Sequence, residues 1–317
     1  MIQSTPAFDH QTSVEEYIGS HFVADNPLVT EAVRRMIAAG GKRIRPRITL
    51  LAAEAAGAHS GEHLELASYM ELIHVATLIH DDVVDRADTR RGVNATAIDY
   101  GNRISVLAGD YLFAWIFRNV TAVYPAPIPH ILSATLAEIC AGEILQLRAL
   151  GDLRLGVSDY LEIVGKKTAS LFAASAECGA IAGGASSQDR KALRDFGYHY
   201  GIAFQINDDL LDLTSDSTRL GKPSGNDLRE RKVTIPLILA LQRTDGEFHG
   251  AVERFFTRGD DTQLERIVAG VAASGALNAT REEIDRYAER ASRSIAAIHD
   301  GQARRTLIEM ASALARQ

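Results

Sequence analysis

The chain has 317 residues, 46% of them hydrophobic and 6% aromatic, enough apolar material to bury a large core. Its net charge of -7 leaves no basic excess to supply the phosphate affinity of a nucleic-acid binder. The two cysteines, Cys140 and Cys178, sit in apolar helical stretches without a CxxC or paired framework, which fits a reducing compartment.

Residues 1–11 lack a basic region followed by an apolar core, so they are expected to be a loose tail and not a secretory signal. The protein is accordingly expected in the cytoplasm. Beyond the tail, apolar residues recur at helical spacing, and no alternating strand run bounded by hairpin turns stands out. The pattern predicts helices over 13–23, 28–38, 44–56, 62–86, 103–122, 129–149, 158–182, 187–213 and 234–243, then a C-terminal set reaching 316. Glycine and proline breaks fall at 40–41, 57–61, 91–92, 125–129, 151–156, 183–184, 221–225 and 275. None is long enough for an interdomain linker, so residues 12–317 are expected to form a single all-α domain.

Capping-box pairs that would start helices are Ser13 with Glu16, Ser186 with Asp189, Thr262 with Glu265 and Thr280 with Glu283. The most apolar stretch that could be weighed as a membrane span, 104–124, carries Asp110 and Arg118 and reads as a buried helix. The C-terminal third is rich in Arg and Glu at i,i+4 spacing, a pattern of packing and a solvated face.

Two of the predicted helices end in the same acidic motif, Asp81-Asp82-Val83-Val84-Asp85 and Asp208-Asp209-Leu210-Leu211-Asp212. Residues i and i+4 lie one above the other on a helix, so Asp81 with Asp85 and Asp208 with Asp212 form vertical carboxylate pairs with a third acid alongside. That much like charge on apolar helices calls for a cation. Hard divalent ions take oxygen ligands, and Mg2+ in particular binds through a few carboxylates and the phosphates of a substrate.

Basic segments supply the opposite charge. Gly40-Gly41 lets the backbone turn closely ahead of Lys42, Arg43 and Arg45, where a guanidinium can take a phosphate bidentately and the next helix adds its positive end. Arg90-Arg91-Gly92 follows the first acidic helix, Lys166-Lys167-Thr168 opens an apolar stretch, and Gly221-Lys222-Pro223 leads into a segment ending at Arg231-Lys232. Taken singly, each is more often surface charge than a site.

Taken together with His74 ahead of Leu78-Ile79-His80-Asp81-Asp82, Gly109-Asp110-Tyr111-Leu112-Phe113 and Phe204-Gln205, these residues resemble the trans-isoprenyl (polyprenyl) diphosphate synthase family from about Gly40 to Pro236. The resemblance implies an isoprenoid-synthase-type bundle of about ten or more helices around a deep central cavity, and about three Mg2+ ions per site. It implies that Asp81, Asp85 and Asp208 hold magnesium on an allylic diphosphate, with Asp82, Asp209 and Asp212 directly or one layer out. Arg90, Lys167, Lys222 and Lys232 would contact that diphosphate, and isopentenyl diphosphate would sit on Gly41, Lys42, Arg45, His74 and Arg91. Thr168 and Gln205 would offer oxygen dipoles to the allylic cation, and released pyrophosphate would take the proton. A homodimer, with 103–122 as a candidate partner face, is also implied, with peripheral membrane contact for product release. Two departures are noted: Arg231 stands where many relatives carry glycine, and His74 where some carry glutamine.

In this family the fourth and fifth residues before the first aspartate govern product length. Here they are the small Thr77 and Ala76, so the expected product is medium or long, roughly six to ten isoprene units in an apolar tunnel. Met70, Phe113, Trp115 and Phe117 are candidate deeper stops, though each is more often plain core. A geranylgeranyl product is the alternative. A terpene cyclase shares the first motif and the fold, but the second DDxxD and the full set of cations weigh against it, and the intact aspartates weigh against a noncatalytic subunit.

Overall fold

The computed structural model describes residues 10–90, 92–214 and 225–316. Arg91, Lys222, the 221–223 run and residues 1–9 of the expected tail lie outside the described residues. The described residues fall into two compact units. The first draws on Met1–Ser133, Ala174–Leu193 and Ile298–Arg304, the second on Ala134–Ala173, Arg194–Ala297 and Arg305–Gln317.

The first unit begins with α1 (His10–His21), α2 (Pro27–Ala38), α3 (Ile44–Ala55) and α4 (Leu64–Val84). After a short hairpin of β1 (Thr89–Arg90) and β2 (Val93–Asn94), α5 (Thr96–Tyr100) and α6 (Asn102–Val123) follow. Helix α2 starts where Asn26 accepts a hydrogen bond from the Leu28 N–H, with Pro27 preset for the first turn. Helix α4 is buried nearly all round, through Leu66, Met70, Leu72, Ile73, Val75, Ala76 and Ile79, and packs against α1, α3 and α6. Its approach to α6 depends on Gly109, where a Cβ would lie 2.2 Å from His80 Nε2. Trp115 on α6 meets Phe22 and Tyr69 edge-on.

Arg43 corrects one expectation. It was grouped with the phosphate-facing cations, yet it is 3% exposed and its guanidinium donates to Glu71 (2.7 Å), Glu15 (2.9 Å) and the Ile37 carbonyl (2.5 Å). It ties α1, α2 and α4 together just before α3, and so fixes the loop that presents Lys42 and Arg45. Breaking such a pair leaves a buried charge alone, so Arg43→Ala is expected to cost about 3–5 kcal/mol of stability, read by denaturant unfolding. A loss under about 1 kcal/mol would mean the pair is effectively solvated.

Helices α7 (Pro127–Ala149), α9 (Ser170–Ala182), α10 (Ser187–Thr214) and α16 (Gln302–Leu314) contribute residues to both units. The second unit also holds α8 (Val157–Val164), a π-helical turn (Gly165–Ala169), α11 (Asn226–Arg229), α12 (Ile235–Arg243), α13 (Gly246–Arg258), α14 (Leu264–Ala273) and α15 (Ala276–Ser294). Phe172 packs on Tyr200 and Phe204 between α9 and α10, and the buried α12 packs on α14 and α15.

The all-α class holds, with the hairpin of two two-residue strands an addition that the sequence pattern did not reveal. The predicted 158–182 helix is interrupted by the π turn. Of the four capping boxes only Ser186 with Asp189 forms, the Asp189 N–H donating to Ser186 Oγ at 3.1 Å. Helix α1 already begins at His10, which puts Ser13 inside it. Asp260 supplants Thr262 by accepting its N–H at 3.2 Å. Thr280 lies inside α15 and donates back to the Ala276 carbonyl at 2.8 Å. Among the described residues, the helix long and apolar enough to cross a membrane is α7, not the 104–124 stretch, with 28% of its apolar window buried.

Candidate active site

In the first unit, Asp81 and Asp82 occupy the last turn of α4, and Asp85 closes the helix as its C-cap, its N–H donating to the Asp81 carbonyl at 2.8 Å. A helix C-terminus carries partial negative charge, so three carboxylates there raise the demand for a cation. The three are not equivalent. Asp82 is 0% exposed and accepts from Arg90 Nε at 2.7 Å and Nη2 at 2.5 Å, whereas Asp81 and Asp85 are half-buried. The hairpin therefore brings Arg90 back onto the acidic turn, where it holds the inner aspartate.

Ahead of α3, Gly40 and Gly41 both have positive φ, at 83° and 151°. They are followed by the exposed Lys42, the buried tie Arg43 and the half-buried Arg45. His74 lies about 10 Å along α4 from Asp81 and is half-buried. Between them Ala76 is fully buried, and Thr77 donates its hydroxyl to the His74 carbonyl at 2.8 Å. Met70 is fully buried, Phe113 meets His80 edge-on, and Trp115 belongs to the core contacts above. Phe117 instead lines a pocket of about 560 Å3 with Tyr124, Pro129 and His130 where α6 gives way to α7. That pocket contains none of the aspartates.

In the second unit, Asp208, Asp209 and Asp212 lie in the last turns of α10 and repeat the division of labour. Asp208 is exposed, while Asp209 is 4% exposed and accepts from Tyr160 Oη at 2.6 Å and Gln205 Nε2 at 2.8 Å. Gln205 Oε1 accepts in turn from the Thr168 hydroxyl at 3.0 Å. Thr168 and Gln205 are thus brought together, with Asp209 orienting the amide. Asp212 accepts the backbone N–H groups of Asn226 (3.2 Å) and Asp227 (3.1 Å).

Lys167 projects from the π turn, a local widening often found at functional sites. It donates to Gln146 at 2.5 Å and pairs with Glu143, both on α7. Gly142 permits this approach: a Cβ there would lie 2.5 Å from the Lys167 backbone nitrogen. Lys232 donates to Glu230 at 2.5 Å. Sequence reasoning did not find Glu143, Gln146, Gly142, Tyr160 or Asp227. Asp227 lies four residues before Arg231 in the charged segment that follows Gly221-Lys222-Pro223, but nothing local marks Tyr160, whose partner is 49 residues away.

The electrostatics follow from burial. Desolvation pushes the Asp209 carboxyl up to about 7, against the lowering effect of Tyr160 and Gln205. Desolvation also raises Asp212, and it raises Asp227 well above the usual carboxylate range, with Asp209 and Asp212 adding repulsion. Because Asp209 binds its proton more tightly when folded than unfolded, the metal-free protein should be most stable below about pH 4 as far as this group goes, and lose that contribution as pH rises towards 7. A Mg2+ ion beside Asp208 and Asp212 would favour the ionised form of the neighbouring Asp209, so its affinity is expected to rise with pH up to about 7 and its binding to release protons. Calorimetric titration with Mg2+ in buffers of different ionisation enthalpy checks this, and binding without proton release near pH 6.5 would contradict it.

Among the described residues no three His, Cys, Asp or Glu side chains are gathered closely enough to hold a metal ion. The donors present are carboxylate oxygens, and Mg2+ is bound through one or two of these, several waters and substrate phosphates. Asp81 with Asp85, and Asp208 with Asp212, fit that mode.

The polyprenyl synthetase family model matches residues 26–271. The chain is 36% identical over 289 residues to octaprenyl diphosphate synthase of Escherichia coli K12, covering 91% of this chain and 90% of that protein. It is 37% identical over 306 residues to all-trans-nonaprenyl-diphosphate synthase (geranyl-diphosphate specific) of Rhodobacter capsulatus, covering 96% and 94%. Its structure matches that of a polyprenyl synthase from Caulobacter crescentus CB15 complexed with calcium and isoprenyl diphosphate, with a TM-score of 0.92, 38% identity, and coverage of 97% and 94%.

Proposed function

The chain belongs to the polyprenyl synthetase family, and on that premise we propose that it is a trans-prenyltransferase joining isopentenyl diphosphate to an allylic diphosphate. The product is an all-trans polyprenyl diphosphate of roughly six to ten isoprene units, with small residues at Ala76 and Thr77 leaving the apolar path open. The observation that carries the reading is the paired acidic turns. Each ends a helix and keeps its inner aspartate pinned and buried, while Asp81, Asp85 and Asp208 are more accessible and Asp212 is half-buried with its carboxylate held by the Asn226 and Asp227 N–H groups.

Asp81, Asp85, Asp208 and Asp212 would hold Mg2+, which when bound takes up the charge that develops on the departing diphosphate. Lys232 and Lys167 lie with acids in this structure and would share their charge with the diphosphate; Arg90 and Lys222 are assigned to it from the resemblance, with Arg90 also keeping Asp82 in place. Lys42, Arg45, His74, Arg91 and the Gly41 backbone are assigned to isopentenyl diphosphate. The allylic C–O bond breaks with its electron pair leaving on pyrophosphate, the isopentenyl double bond attacks the allylic carbon in a 1'-4 sense, and pyrophosphate accepts the proton. Thr168 and Gln205, aligned by Asp209, would present oxygen dipoles to the cation without competing as nucleophiles, while apolar walls exclude water. Residues 12–317 would act as one catalytic domain in the cytoplasm. The exposed Val106, Leu107 and Val123 of α6 support a homodimer.

An aromatic side chain at the fully buried Ala76 tests the tunnel. Ala76→Phe is expected to shorten the longest product to about four units or fewer while pyrophosphate release continues. An unchanged product would remove Ala76 from the path. Pyrophosphate release from the allylic substrate alone would overturn the condensation itself.

A further inference from the structure

We propose that Arg231 is a positioning residue that latches segment 225–232 onto the second aspartate motif and so sets how tightly the allylic diphosphate and its magnesium are held. The inference rests on the assignment of Asp208, Asp212 and Lys232 above. Arg231 has φ +60°, a left-handed conformation that disfavours any residue with a side chain. Such a residue persists where its surroundings over-determine it. Here the guanidinium carbon lies 4.0 Å from the centroid of Phe255, a fully buried ring of α13, and Nη2 donates to Asp261 at 2.7 Å. Its carbonyl accepts the Gly151 N–H at 2.9 Å, and its own N–H donates to the Leu228 carbonyl at 2.9 Å.

The start of the segment is fixed just as firmly. The Gly225 N–H donates to the Asp212 carbonyl at 2.8 Å, and the N–H groups of Asn226 and Asp227 donate to the Asp212 carboxylate. Between the two anchors, the Lys232 N–H donates to the Asp227 carbonyl at 2.8 Å. Asp227 and Lys232 are therefore held by Asp212 on one side and by Arg231 on the other. Glycine would satisfy this backbone at lower steric cost, so what arginine adds is its grip on Phe255 and Asp261.

The test compares Arg231→Gly, which relaxes the backbone and releases the grip, with Arg231→Lys, which keeps a cation over the ring. Steady-state kinetics of the full chain with farnesyl and isopentenyl diphosphates should show Arg231→Gly raising the farnesyl diphosphate KM and the magnesium half-saturation about tenfold. The isopentenyl diphosphate KM and the melting temperature should stay put, and lysine should recover part of the loss. An unchanged farnesyl diphosphate KM, or an equal rise in both KM values, would overturn the latch. Lys232→Ala and Asp208→Ala in the same assay separate the two layers. If they impair the allylic half-reaction and Arg231→Gly does not, the latch alone fails; if neither does, the site assignment fails with it.

Discussion

Asp81→Ala and Asp208→Ala are each expected to lower kcat by at least about 10²–10³-fold while leaving the melting temperature nearly unchanged, because each would remove a proposed ligand to the ions that stabilise the leaving diphosphate. Asp208 is exposed and Asp81 half-buried, whereas the inner aspartates are buried, so the loss of either outer side chain is not expected to open a cavity. The inner aspartates behave differently. Asp82→Ala would strip Arg90 of its partner at a fully buried position, and Asp209→Ala would leave Tyr160 and Gln205 without their acceptor. Both should therefore lose stability as well as turnover, by about 1–3 kcal/mol or more for an unsatisfied buried partner. Measuring kcat and denaturant midpoints for all four variants separates the groups. Equal destabilisation across the four, or retained turnover in Asp81→Ala, would sink the division between ligand and support.

Gly142→Ala should be nearly as damaging through a residue with no chemistry of its own. Helix propensity alone favours alanine by about 1 kcal/mol in the interior of α7. Against that, the new Cβ would sit 2.5 Å from the Lys167 nitrogen and 2.9 Å from the Lys167 Cα, backbone atoms that cannot rotate away. Overpacking costs about 1–3 kcal/mol, so a modest net loss of stability is expected. The larger effect falls on turnover. The π turn carries both Lys167 and Thr168, and a displacement of about 1 Å at a reacting site can cost about 10²-fold. A fall in kcat of that order with a melting temperature lowered by a few degrees is the expected pair of readings, and full turnover would show that the turn tolerates movement.

What was legible in the sequence follows from its periodicity. Helices with a clear 3.6-residue pattern, such as 187–213 and 44–56, fall within a residue or two of α10 and α3. Some of the failures share a cause, dependence on a partner distant in sequence. Arg43 looked like one more phosphate-facing cation until Glu15 and Glu71 were seen to enclose it. The capping boxes at Ser13 and Thr280 satisfied a local rule but fell inside longer helices, where packing overrides the cap. The π turn has no local signature; it lies where the Lys167 backbone closely approaches Gly142, on a different helix. At the site, the acidic motifs were readable as motifs, but their sorting into pinned and accessible carboxylates required the folded neighbours Arg90, Tyr160 and Gln205.

The measurement that bears most directly on the function is product analysis. The purified protein is incubated with Mg2+, labelled isopentenyl diphosphate and, in turn, dimethylallyl, geranyl, farnesyl or geranylgeranyl diphosphate, and the dephosphorylated products are separated by chain length. A magnesium-dependent ladder ending at roughly six to ten units is the predicted result, as expected from the small side chains at Ala76 and Thr77. Hydrocarbons formed without isopentenyl diphosphate, or no elongation from any primer, would contradict it.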